Sequence, residues 1–264
     1  MNLRNKFFKE LRKLDMPVCE APLPVVTETD LSSLPQAAQR YLRFMGVVGR
    51  PRDWSFRTGF VGRFKVKQSA PWRPCDVWQY NTSPVVTRTF FMQLSLGGLP
   101  VIGRDTYREG HGRMLGKVLD LVTVIDGSGS KFDIGELVTY LNDLVLLAPS
   151  MLLVPAITWT EVDGRSFDLS LTDHHNTVKA RVFLDDRGAP VNFETTDRFC
   201  EDPIDPNKWM RARWSTPMEG FHDVDGRQVP TRGQASWLLA QGRFTYADFE
   251  VVQERLAYNI GPGE

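Results

Sequence analysis

Cysteine and histidine are scarce in this chain of 264 residues, no sign of charge predominates, and no hydrophobic run is long. The three cysteines, Cys19, Cys75 and Cys200, are far apart, with no CxxC spacing and no nearby histidine pair. A zinc site is therefore not expected, and scattered thiols read as reduced residues. Lysine plus arginine (32) balances aspartate plus glutamate (32), with a pI near 6.9. A protein that neutralises many phosphates carries a basic surplus, so a nucleic-acid partner is not expected. No stretch approaches the roughly 18–20 apolar residues that span a bilayer. The basic N-terminus is not followed by the apolar run and small-residue cleavage site of a secretory signal. The expected location is the cytoplasm, free or at a membrane surface.

Reaction signatures are missing as well. There is no GxSxG elbow and no HExxH pair. The segment from Gly110 to Lys117 suggests a phosphate loop, but five residues separate Gly110 from Gly116 and Val118 follows the lysine. Walker A needs four residues there and a Ser or Thr after the Lys. A strand-edge turn is the expectation. Asp173-His174-His175 lies between two alternating segments, where it reads as a turn rather than a ligand set. Neither a metal nor a cofactor is expected, and no catalytic residue is marked by spacing.

What the chain has in quantity is aromatic side chains: sixteen Phe, seven Trp and six Tyr. From Trp54 onward the pattern has period two. Trp54, Phe56, Phe60, Phe64 and Val66 share one parity, and Arg57, Arg63, Lys65 and Lys67 the other. Such alternation marks a sheet with one buried and one wet face. Gly59 and Gly62 inside this run suggest a bulge, bend or turn. Further strands are expected at 75–81, 86–95, 104–109, 112–118, 121–126, 165–172, 177–184, 190–199, 208–218, 228–240 and 243–257, with Asp-Gly turn signals at several junctions.

Two amphipathic helices interrupt the strands. Ser33 to Gln36 has the form of a capping box, opening an apolar stripe that includes Ala38, Tyr41 and Leu42 and stops at Gly46. A second helix is expected over 134–148, capped by Asp133 with Glu136 in its first turn. Residues 1–15 form a third helical pattern, with Leu3, Phe7, Leu11 and Leu14 on one side and basic residues around them. That helix could dock on its own core or lie on an anionic membrane. Three prolines between 16 and 30 make an arm. The expected organisation is a basic segment and arm over 1–30, then one domain over 31–264. Its fold class is α+β, mainly β: a strongly curved antiparallel sheet, an open half-barrel, with two amphipathic helices packed on the concave side.

Same-face aromatics either fill such a sheet or line a cavity between sheet and helices. The candidate wall is Phe60, Phe64, Phe90, Met92, Tyr107, Trp159 and Trp237, and the implied partner is a lipid or apolar small molecule. An alternative is an enzyme using Asp105, Glu109, His111 and Glu136, the first three sharing strand parity. A third reading is an interaction or membrane-peripheral module using residues 1–15 or a sheet edge.

Several segments resemble an uncharacterised bacterial family: Leu34 to Leu42, Asp105 to Met114, Gly135 to Leu141, and Asp225 to Pro230 with Trp237. That resemblance runs over most of residues 31–255 and implies no activity. More distantly, the hairpin at 177–199 and the terminal Asp-Gly, Pro, Trp, Tyr pattern resemble the lipoprotein-sorting carriers (LolA/LolB-like). This likeness implies an open half-barrel with helices over a hydrophobic cavity and, by analogy, an apolar ligand.

Overall fold

The computed structural model describes residues 2–202, 205 and 208–264. Its strands are β1 (Ser55–Phe64), β2 (Arg73–Thr82), β3 (Thr87–Leu96), β4 (Leu99–Arg108), β5 (His111–Val118), β6 (Val122–Ser128), β7 (Ile157–Asp163), β8 (Ser166–Asp173), β9 (Asn176–Leu184), β10 (Pro190–Glu201), β11 (Trp209–Ser215), β12 (Met218–Val224), β13 (Arg227–Leu239), β14 (Gly242–Val251) and β15 (Ala257–Tyr258). Among the described residues these fifteen strands form one antiparallel sheet. Its order is β6-β5-β4-β3-β2-β1-β14-β13-β11-β10-β9-β8-β7, with β12 added on β13 and β15 on β1. The end strands β6 and β7 do not pair with each other, so the sheet is an open half-barrel.

The helices are α1 (Leu3–Leu11), α2 (Glu28–Leu31), α3 (Gln36–Phe44) and α4 (Ser130–Leu147). Helix α4 touches β3, β4, β5 and β6 from one half of the sheet and β9, β10 and β13 from the other. Strands so distant in the order can share one helix only if the sheet wraps around it. Enclosure explains why α4 is buried nearly all round: Leu137, Val138, Tyr140, Leu141, Leu144 and Val145 are all buried, and so are Asp133, Glu136, Asn142 and Asp143. Helix α3 joins the same core through Tyr41, whose ring lies 5.4 Å from that of Phe167 and whose hydroxyl donates to the Val145 carbonyl at 2.7 Å.

Helix α1 takes the opposite side. Leu3, Phe7, Phe8 and Leu11 pack on Trp78, Tyr80, Phe91 and Ile102, whose side chains leave the outer face of β2, β3 and β4. The apolar stripe that could have met a membrane is thus spent on the protein's own sheet.

Other local expectations change. No bulge occurs at Gly59 or Gly62: β1 pairs with β2 without interruption from Ser55 to Phe64. These glycines permit close approach instead, since a Cβ on Gly62 would collide with the Asp248 carbonyl oxygen and one on Gly59 with the Arg255 side chain. The reciprocal cap at this end of the chain is not Ser33–Gln36. It is Thr27 and Asp30 at α2, where the Asp30 carboxylate accepts from the Thr27 amide at 2.7 Å. Helix α3 starts after Pro35, which offers no capping side chain. Helix α4 starts three residues before Asp133, and Asp133 accepts from the Gly112 amide of β5 at 2.7 Å. The segment expected as one strand over 208–218 divides at Pro217 into β11 and β12, and β7 was not foreseen.

Candidate functional site

Alternation sends Phe60 and Phe64 of β1, Gln79 of β2, and Arg88, Phe90, Met92 and Leu94 of β3 to the concave side. Between these strands, α4 and the β10–β14 half of the sheet lies a cavity of about 880 Å³. That is within the roughly 300–1,000 Å³ of small-molecule pockets. Its wall is mainly apolar and includes Met92, Leu94, Val101, Leu115, Trp237 and Phe244. Val66, Val124 and Ile125, each about half exposed, also belong to the wall and mark where it meets solvent.

Of the seven residues expected to line a cavity, Phe60, Phe64, Phe90, Met92 and Trp237 do so. Tyr107 and Trp159 lie elsewhere. Tyr107 is fully buried toward the β8–β9 turn, where its hydroxyl donates to Asp173 at 2.8 Å. The Asn176 amide donates to the Gly110 carbonyl at 2.7 Å and ties the two hairpin tips together. Trp159 packs on Phe167, 5.3 Å between ring centres, in the core around α3. Parity chose the face correctly for both, but α3 and α4 fill that end of the half-barrel.

The inner wall carries charge. Arg88, with 4% of its side chain exposed, donates from Nη1 to Glu136 and from Nε to Asp143, each at 2.8 Å. Glu136 and Asp143 are seven residues apart on α4, two turns, and so share one helix face. Asn81 also donates to Asp143, at 3.1 Å, and Gln79 to Asn81, at 3.0 Å. Burial pushes Glu136 up to about 7, with the neighbouring Asp105 carboxylate adding to the rise and Arg88 and Arg198 opposing it. Burial likewise holds Asp143 and Asp105 above the usual range against the pull of Arg88. Arg198 of β10 lies over Trp214, 4.4 Å from the ring centre, and donates to the Tyr246 hydroxyl at 3.3 Å. Trp214 donates to the same oxygen at 2.8 Å.

Two of the four groups named for an enzyme, Asp105 and Glu136, are neighbours, and Glu109 and His111 do not join them. Asp105 faces the cavity and Glu136 stands behind it on Arg88. Glu109 and His111 are exposed at the β4–β5 turn, where Glu109 has a φ of 53° and Gly110 of 82°. The turn ends the alternation that their shared parity assumed. Arg88 and Asp143 were not foreseen, although an arginine on the same parity as Phe90 and Met92 was a legible sign. No group of three or more metal-ligating side chains occurs among the described residues.

The chain belongs to a family of unknown function (DUF6544), which it matches over residues 24–249. No curated protein matches the sequence. Among solved structures it is similar to a LolA superfamily protein from Nitrosomonas europaea, at 12% identity and a TM-score of 0.38, covering 81% of this chain and 91% of that one. It is similar also to a DUF1329 family protein from Desulfovibrio piger, at 12% identity and a TM-score of 0.42, covering 85% and 92%. A third is a domain from Vibrio parahaemolyticus assigned to outer membrane lipoprotein sorting, at 9% identity and a TM-score of 0.36, covering 79% and 86%.

Proposed function

We propose that this protein is a non-enzymatic binder or carrier of a hydrophobic small molecule or lipid. The observation that carries the reading is the cavity of about 880 Å³ with a largely apolar wall, held open between α4 and the concave sheet. A space of that size lined by Phe, Met, Leu and Trp costs packing contacts that a filled core would make. An apolar guest restores them and removes its own surface from water, at roughly 25 cal/mol for each Å². The mainly apolar wall also carries polar side chains, among them Gln79, Arg88, Asp105 and Arg198, that can orient a ligand.

Native mass spectrometry of the gently purified, full-length protein tests the reading. The expected spectrum contains a noncovalent adduct of a few hundred daltons (roughly what such pockets hold) that extracts into organic solvent. A spectrum of bare protein, together with no uptake of added ten-carbon amphiphiles, would remove the proposal.

A further inference from the structure

The inner wall has a charge imbalance that a purely apolar guest would leave in place. Two cations, Arg88 and Arg198, stand among three carboxylates, Asp105, Glu136 and Asp143. Arg88 is committed to Glu136 and Asp143. Arg198 lies flat over Trp214, 5.7 Å from the centre of Trp237, and donates to Tyr246. Asp105 is left over. It sits in the cavity wall between Phe90 of β3 and Met114 of β5, and it accepts no hydrogen bond among the described residues. Desolvation there outweighs the attraction of Arg88 and Arg198, so the ionised carboxylate has too little positive charge around it. Asp105 is partly exposed and lines the cavity, and a guest that displaces water from its carboxylate has to bring a donor to it.

From the unpartnered Asp105 in an aromatic-walled cavity we infer that the guest is a cationic amphiphile, with one protonated amine on Asp105 and a hydrocarbon tail along Phe60, Phe64, Met92 and Leu94. The inference rests on the apolar-ligand reading and narrows it. One positive charge balances the two arginines and three carboxylates, and the ring of Phe90 beside Asp105 offers a further face to an ammonium group. An anionic head is the rival, held by Arg198 or by Lys65 and Lys67 in the cavity lining. At the inner wall it would add to an existing surplus of negative charge, and this makes it the weaker fit.

Titration calorimetry of the full chain at pH 7.5 with decylamine, decanol and decanoate separates these cases. Decylamine is expected to bind about tenfold or more tightly than the other two, the size of a charge-assisted hydrogen bond. Asp105→Asn, which keeps the shape and removes the charge, is expected to erase most of that margin. Decanoate binding as tightly as decylamine, or equal affinity for all three, overturns the inference and leaves the apolar-ligand reading intact. Binding of none of them overturns both. A margin that survives in Asp105→Asn also overturns the assignment, and should that variant not fold, the ranking on the unaltered protein decides.

Discussion

Arg88 is almost fully enclosed, and its guanidinium joins Glu136 and Asp143 across the gap between β3 and α4. The pair of bonds fixes the helix against the sheet at the back of the cavity. Removing one partner from a buried ionic group leaves the others without compensation, at about 3–5 kcal/mol. Arg88→Met is therefore expected to lower the unfolding free energy by that much, as read from urea denaturation followed by far-UV circular dichroism. Glu136 adds a pH dependence. Its carboxyl is raised from 4.5 to about 7, so between those values the folded chain keeps a proton that the unfolded chain has released. Stability from this group is fully present below pH 4.5 and is lost as pH rises through about 7. Asp105 and Asp143, also raised, act in the same direction. The urea midpoint should be higher at pH 5.5 than at pH 8, and Glu136→Gln should flatten that difference; an unchanged slope in the variant would assign it to other groups.

At the scale of elements, α1 is the part whose role was open. Its stripe of Leu3, Phe7, Phe8 and Leu11 covers Trp78, Tyr80, Phe91 and Ile102 on the convex face. Arg57 lies over Phe8 and Arg255 over Trp78, so cations close the edge of this patch. The outer side of a half-barrel would otherwise present these rings to water, and exposed apolar patches of that kind promote association. Deleting residues 1–15 is expected to cost stability and to raise the binding of an environment-sensitive dye to the outer face. Phe7→Ala alone should cost about 3–5 kcal/mol, the ordinary loss for a buried phenylalanine. A full-stability truncation whose size by light scattering matches that of the intact chain would show the contact to be idle.

For the whole molecule, the decisive feature is that the sheet wraps α4 without collapsing onto it. Gly112 is part of the reason, because a Cβ there would collide with the Phe132 carbonyl oxygen, so β5 and the start of α4 meet at backbone distance. Beyond that contact, the strands diverge from the helix and leave the cavity. Filling the space from the wall should separate folding from binding. Ala235, which lines it from β13, can be replaced by tryptophan. Ala235→Trp is expected to abolish uptake of decanol in calorimetry while the melting temperature holds or rises, since a larger apolar side chain occupies otherwise empty volume. Equal uptake in the variant would place the guest elsewhere.

Much of this was legible in one dimension. Period-two alternation determined which residues of β1, β3 and β13 face inward, because a strand's geometry turns successive side chains to opposite faces. The helical stripes of α1, α3 and α4 followed for the same kind of local reason. Tertiary structure alone decided where along the half-barrel each inward residue stands. Tyr107 faces the right way yet lies in solid core and Trp159 packs against that core, while Phe90 and Met92 border open space. It alone brought Arg88, Asp105, Glu136 and Asp143 together from β3, β4 and α4, since burial and convergence of charge depend on packing between elements that are distant in the chain. It also decided that α1 covers the sheet from outside, a choice that an amphipathic pattern leaves open because every apolar surface satisfies it equally.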